Sequence, residues 1–274
     1  MNPATEHIES PDGLWHKCEG CDELVFRQTL ERNLYICPSC GNYLPFPAEQ
    51  RLSHIFSTGS WTDLFPASAP PSLLESLNLA DLVAQTDCSN LPDRIIAAGE
   101  GEISGCSTIL TVIHPLAPLQ RLHFVTLLIA IRTALLKEFP LICIYSNDVV
   151  LKLNATDRTP ASEMSFAEIT YLSTEMGRLS EARLPQITVL TDANDGALST
   201  RFPTGDIIVA EGASATALTA TEQPLVDAAQ TTIESTLEAP NTDAFIDRYT
   251  PREALPETLG KLLDFFAKAR GTST

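Results

Sequence analysis

Four cysteines sit in two pairs, Cys18-x2-Cys21 and Cys37-x2-Cys40, with fifteen residues between the pairs. Two cysteines three residues apart on a tight turn can both point at one ion, and thiolates suit the tetrahedral preference of zinc. Glu19-Gly20 and Pro38-Ser39 fill the two turns. The spacer from Asp22 to Ile36 is long enough for a β-hairpin that brings the second turn beside the first. Its Leu24, Val25, Phe26, Leu30, Leu34, Tyr35 and Ile36 suit strands, and Glu31-Arg32-Asn33 is the predicted tip. Four thiolates complete the tetrahedron, so such a site is closed and structural. The reading is one structural zinc per chain on Cys18, Cys21, Cys37 and Cys40.

No other spacing carries chemistry by itself. Cys88, Cys106 and Cys143 are scattered, and they read as inert small core residues. His16, His54, His114 and His123 stand in no Ser/His/Asp or Cys/His arrangement, and the closed thiolate site has no vacancy for His16. Asp192, Asn194 and Asp195 read as a turn after a strand, with side chains bonding their own backbone. The residues alone therefore assign no catalytic and no cofactor-binding position.

Composition narrows the partners. The chain has 274 residues, 44% of them hydrophobic, and a net charge of −17. Residues 1–60 hold four basic and eight acidic residues. Phosphate backbones are bound by clustered Lys and Arg, which are missing here, so the charge opposes a nucleic-acid partner. The longest apolar candidate, Phe124 to Ile131, falls far short of the roughly 18 residues of a membrane span. Met1 to Asp12 lacks the basic and apolar regions of a signal peptide. The expectation is a cytoplasmic protein without a membrane segment.

The remaining pattern supplies the frame. Pro47 opens a short helix that ends by Gly59, and residues 72–86 read as another helix. Ile95–Ile103 and Ser107–His114 read as strands joined by a two-residue Ser104-Gly105 turn, which also accounts for Gly101 and Gly105. Leu119–Glu138 is a long apolar helix, with too few polar positions for a freely solvated face. Pro140–Ser146, Pro185–Thr191 and Asp206–Ala210 are strands, Pro160–Ala182 an amphipathic helix, and Pro256–Lys268 the last helix. This alternation predicts an α/β domain with a covered sheet. The expected division is 1–60 for the ribbon and its following helix, and 61–274 for the α/β domain.

The combined pattern resembles the β subunit of the bacterial acetyl-CoA carboxylase carboxyltransferase. The similarity runs through Leu14-Trp-His-Lys-Cys18, Leu30-Glu-Arg-Asn-Leu34 and Cys37-Pro-Ser-Cys40, then Ile95–His114, Pro140-Leu-Ile-Cys143, Leu184–Asp192 and Gly205–Glu211. It implies a crotonase-like spiral of ββα turns behind the ribbon. It also implies an α-like partner subunit or self-association, and an acyl-CoA or acyl carrier as the molecule handled. That family moves a carboxyl group from biotin to acetyl-CoA, and backbone N–H pairs at Gly-Gly steps stabilise the enolates.

At those steps this chain departs from the resembled pattern. Where the family has Ser-Gly-Gly-Ala-Arg, the chain reads Tyr145-Ser-Asn-Asp-Val-Val150; where it has Met-Gly-Gly, the chain reads Ala193-Asn-Asp-Gly-Ala197. Pro115–Leu119 lacks the glycines expected after the first hairpin, and Ala213–Gln223 lacks Gly-Pro-Arg. Asp148 would repel a developing enolate. Three functional readings result: a degenerate or repurposed homologue acting as a non-catalytic partner or on another acyl thioester, a working divergent β subunit making malonyl-CoA, and a zinc-ribbon nucleic-acid binder, which the charge opposes.

Overall fold

The computed structural model describes residues 14–56, 61–86, 96–113, 121–146, 165–191, 205–212 and 246–271. The chain divides into two compact units, with the boundary between Phe46 and Pro47. The smaller unit begins with antiparallel strands β1 (Trp15–Lys17) and β2 (Leu24–Phe26), followed by helix α1 (Arg27–Arg32). Val25, Leu30, Tyr35, Leu44 and Phe46 form its core with Cys18 and Cys37, and the rings of Tyr35 and Phe46 stack 5.5 Å apart.

Helix α1 corrects the expected hairpin tip at Glu31-Arg32-Asn33. Gln28, Leu30, Glu31 and Arg32 are good helix formers, and Arg27 Nε donates to Glu31 Oε1 at 3.0 Å one turn on. Asn33 ends the helix, and its Nδ2 donates to the Ile36 carbonyl at 2.6 Å. Leu34 and Tyr35 then take positive φ, 52° and 58°, which reverses the chain. Left-handed backbone costs about 1–2 kcal/mol per residue, offset here by burial of Leu30 and Tyr35.

The larger unit is α/β. Helix α2 (Ala48–Ile55) begins after Pro47, as expected, and buries Leu52 and Ile55 in this unit's core. Residues 72–86 are not one helix but two, α3 (Pro71–Ser76) and α4 (Ala80–Ala84), because Asn78 adopts a φ of 56° between them. Strands β3 (Thr62–Asp63), β4 (Ile96–Ile103), β5 (Cys106–Ile113), β6 (Leu141–Ser146), β7 (Gln186–Thr191), β8 (Ile207–Glu211) and β9 (Arg248–Thr250) form one sheet in chain order among the described residues. The first two pairings are antiparallel and the other four parallel.

The β4–β5 turn is as predicted: Ser104 and Gly105 both have positive φ, 52° and 82°, the geometry that matches hairpin twist. With helix α5 (Arg121–Lys137), this hairpin makes a ββα turn. Helix α6 (Phe166–Glu181) starts at a Ser165–Glu168 capping box and connects β6 to β7. Helix α7 (Leu255–Ala269) closes the chain after a 3-10 turn, Arg252–Ala254.

The sheet is covered on both faces, so its parallel strands read as nearly continuous apolar runs. Ile109, Leu141, Cys143, Tyr145 and Leu190 face α5 and α6; Leu110, Ile142, Ile144, Val189 and Val209 face α2 and α7. Helix α5 is buried from Leu122 to Ile131 within its own chain. Its apolar positions over that span are covered within the chain, while Leu136 near its C-terminal end is exposed. The buried hydroxyls of Thr126 and Thr133 donate to the Leu122 and Ile129 carbonyls, at 2.8 and 2.7 Å. Among the described residues, no helix is long and apolar enough to cross a membrane.

Candidate functional site

The ribbon cysteines occupy two turns of matching geometry. In the first, Cys18 N–H donates to the Glu23 carbonyl and Asp22 N–H to the Cys18 carbonyl, both at 2.8 Å. In the second, Cys37 N–H donates to the Asn42 carbonyl at 2.8 Å and Gly41 N–H to the Cys37 carbonyl at 2.9 Å. The residue after the second cysteine has positive φ in each, 59° at Asp22 and 74° at Gly41. The β1–β2 ladder brackets the first turn, and the Ile36–Tyr43 bridge brackets the second.

This geometry brings all four sulfurs within 4.8 Å of one another. Cys18 and Cys40 are 3.6 Å apart, Cys21 and Cys37 3.8 Å. Sulfurs at 2.3 Å around a tetrahedral zinc would lie about 3.8 Å apart, so the set fits the ion without rebuilding. Cys18 accepts from the backbone N–H groups of Gly20 and Cys21, and Asn42 Nδ2 lies 3.9 Å from its sulfur. Cys37 accepts from Cys40 and Ser39 N–H. A side chain on Gly20 would meet Asn42 Cβ at 3.0 Å and the Cys40 sulfur at 3.4 Å, so glycine keeps the turns close.

The α/β unit holds a second polar cluster, which sequence reading missed. Where the parallel strands end, Ser146 pairs with Thr191 and Glu211 with Thr250. Thr191, Glu211 and Thr250 are buried. Arg51 Nη1 of α2 donates to Glu211 Oε1 at 2.8 Å, and Arg252 Nε donates to the same oxygen at 3.0 Å. All three side chains are at most 3% exposed. Burial raises the Glu211 carboxyl, but the two guanidiniums outweigh it and hold the group below its ordinary range. His54 Nε2 lies 3.3 Å from the Arg252 carbonyl; burial lowers its pKa, against the hydrogen bond that raises it. The available signal was slight: Glu211 closes the apolar run Ile-Ile-Val-Ala, while Arg51 shares α2 with Glu49 and does not stand out.

The other sequence candidates do not converge. Cys143 is buried and Cys106 half-buried, and burial pushes both thiols up, as suits inert residues. His123 is buried on α5, far along the chain from His16 on β1. Gly101 packs its bare Cα against Phe56 and does not cradle a ligand. Gly205 N–H donates to Thr188 Oγ1 at 2.8 Å, and Asp206 Oδ2 accepts from Gln186 N–H at 2.9 Å, which sets β8 in register beside β7. Cys88, His114, Pro115–Leu119, Asn147–Val150, Asp192–Ala197 and Ala213–Gln223 lie outside the described residues.

Residues 15–40 match the acetyl-CoA carboxylase zinc finger domain. The chain is 28% identical to the acetyl-coenzyme A carboxylase carboxyl transferase subunit beta of Pelotomaculum thermopropionicum, over 96% of this chain and 93% of that protein. It is 27% identical to the same subunit of Carboxydothermus hydrogenoformans, over 77% and 74%. Among solved structures, a Pseudomonas malonate decarboxylase hetero-tetramer in complex with malonate aligns with a TM-score of 0.47 and 14% identity, over 81% of this chain and 82% of that one. The resemblance read from the sequence is therefore borne out along nearly the whole chain, and the thiolate cluster is a zinc ribbon fitted to one structural ion.

Proposed function

We propose that this relative of the carboxyl transferase β subunits is a non-catalytic partner subunit that has lost acetyl-CoA carboxylation. One observation carries the reading: the glycine pairs of the resembled pattern are lost after β6, where Asp148 and Val149 stand, and reduced after β7, where Ala193-Asn-Asp-Gly-Ala197 keeps only Gly196. An enolate needs donors at close range, and removing one oxyanion donor costs about 10²–10³ in rate. Asp148 adds a negative charge to the same segment. Strands β6 and β7 themselves are intact, adjacent and in parallel register. Loss is thus confined to chemistry-bearing sequence while the supporting frame is kept.

In this reading Cys18, Cys21, Cys37 and Cys40 hold the zinc. The chain works in the cytoplasm, where thiols stay reduced, and it associates with an α-like subunit or with itself. A radiolabelled carboxyl-transfer assay with an α subunit and a biotin carrier tests it. No malonyl-CoA above background is expected, even with Asp148→Gly and Val149→Gly introduced, because the second turn stays altered. Robust turnover by the unmodified chain would overturn the reading in favour of a working, divergent β subunit that handles acetyl-CoA. Light scattering with co-purification tests the association, and a lone monomer without a partner would count against it.

A further inference from the structure

The four ribbon thiols are not equivalent. Cys18 and Cys37 are buried, at 0% and 1% exposure, whereas Cys21 and Cys40 are exposed. The buried pair opens the two turns, and each accepts two backbone N–H bonds, from Gly20 and Cys21 and from Ser39 and Cys40. Cys18 also faces Asn42 Nδ2. Cys21 takes its backbone bond from Glu23. Access decides which sulfur an oxidant meets. Resting on the reading of these thiols as the zinc ligands, we propose that the site is a two-sided redox-labile centre: Cys18 and Cys37 anchor the ion, and Cys21 and Cys40 form the edge at which peroxide oxidises it and releases zinc.

The chemistry balances with peroxide as the oxidant. An outer thiolate attacks peroxide; an S–O bond forms, the O–O bond breaks, and the departing hydroxide takes a proton to become water. The sulfur loses two electrons, and peroxide gains them. The resulting sulfenic acid lies beside an inner thiolate, Cys18 at 3.6 Å for Cys40 and Cys37 at 3.8 Å for Cys21. Attack by that thiolate forms an S–S bond and breaks S–O, and hydroxide again leaves and is protonated. Zinc, deprived of two thiolates, departs as the hydrated ion, and metal loss unfolds the ribbon.

The test uses the full chain. Elemental analysis first establishes the zinc content. Graded hydrogen peroxide is then added while a chromophoric chelator follows zinc release, and trapped sulfenic acids and disulfides are located by mass spectrometry. The expected result is one zinc per chain, lost in step with peroxide, with early adducts on Cys21 and Cys40 and disulfides Cys18–Cys40 and Cys21–Cys37. Early adducts on Cys18 or Cys37, an even spread over all four, or zinc retained while the outer pair is oxidised would overturn the proposal. A chain that holds no zinc at the outset would fail earlier, at the ligand assignment itself.

Discussion

At the scale of single residues, Glu211 has the most at stake. Desolvating buried ions costs several kcal/mol each, and only close, well-aligned partners offset it. Here one carboxylate serves two arginines, so Glu211→Gln leaves two guanidiniums buried against a neutral group. The expected loss is about 3–5 kcal/mol of unfolding free energy, measured by urea denaturation; a loss indistinguishable from zero would mean the cluster is not closed in solution. Because the folded carboxyl titrates below its unfolded value, its stabilisation is fully present above about pH 4.3 and is lost as pH falls through the folded value. The variant should lack that acid limb. For Cys37→Ser the expectation is loss of the metal and of the ribbon fold together, and a zinc-free yet well-folded ribbon would refute it. The cysteines were legible because their spacing is local. The arginine clasp was not, since Arg51 and Glu211 are separated by 160 residues and each alone looks like a solvated charge.

At the scale of elements, the hairpin β4–β5 shows what a short pattern can and cannot disclose. Ser104-Gly105 between two apolar runs predicted the turn correctly, because positive φ at both positions has a strong residue preference. Gly101 looked like an ordinary hairpin glycine, but the structure gives it a packing role. A Cβ there would lie 2.6 Å from Phe56 Cδ1, well inside van der Waals contact. Gly101→Ala should destabilise the larger unit by about 1–3 kcal/mol through overpacking, seen as a lower thermal midpoint; an unchanged midpoint would show that Phe56 yields freely. Helix α1 and the α3–α4 break were missed for a common reason. Leu34, Tyr35 and Asn78 adopt left-handed backbone under tertiary constraint, and only asparagine among them advertises that conformation. The long helix α5 was read correctly in extent; its span Leu122–Ile131 is covered within this chain, and Leu136 is left exposed.

At the scale of the whole molecule, the ribbon and the α/β unit are separate compact bodies, so their stabilities should separate. A strong chelator should abolish amide-exchange protection in residues 14–46 while strands β4 to β7 keep theirs; protection lost throughout would show that the two fold as one. The alternation of strands and helices made the α/β class readable, and the sheet order adds something alternation alone does not. Among the described residues, each strand of the larger sheet pairs with the described strand just before it in the chain. During synthesis the ribosome therefore delivers each new strand to the edge already waiting, with no need to pair against one not yet made. The clasp is the exception: Arg51 emerges early, Glu211 late, and Arg252 later still. A nascent chain cut short before Arg252 would own the strands of the sheet yet leave Glu211 with a single guanidinium, so the clasp closes only once synthesis has passed Arg252.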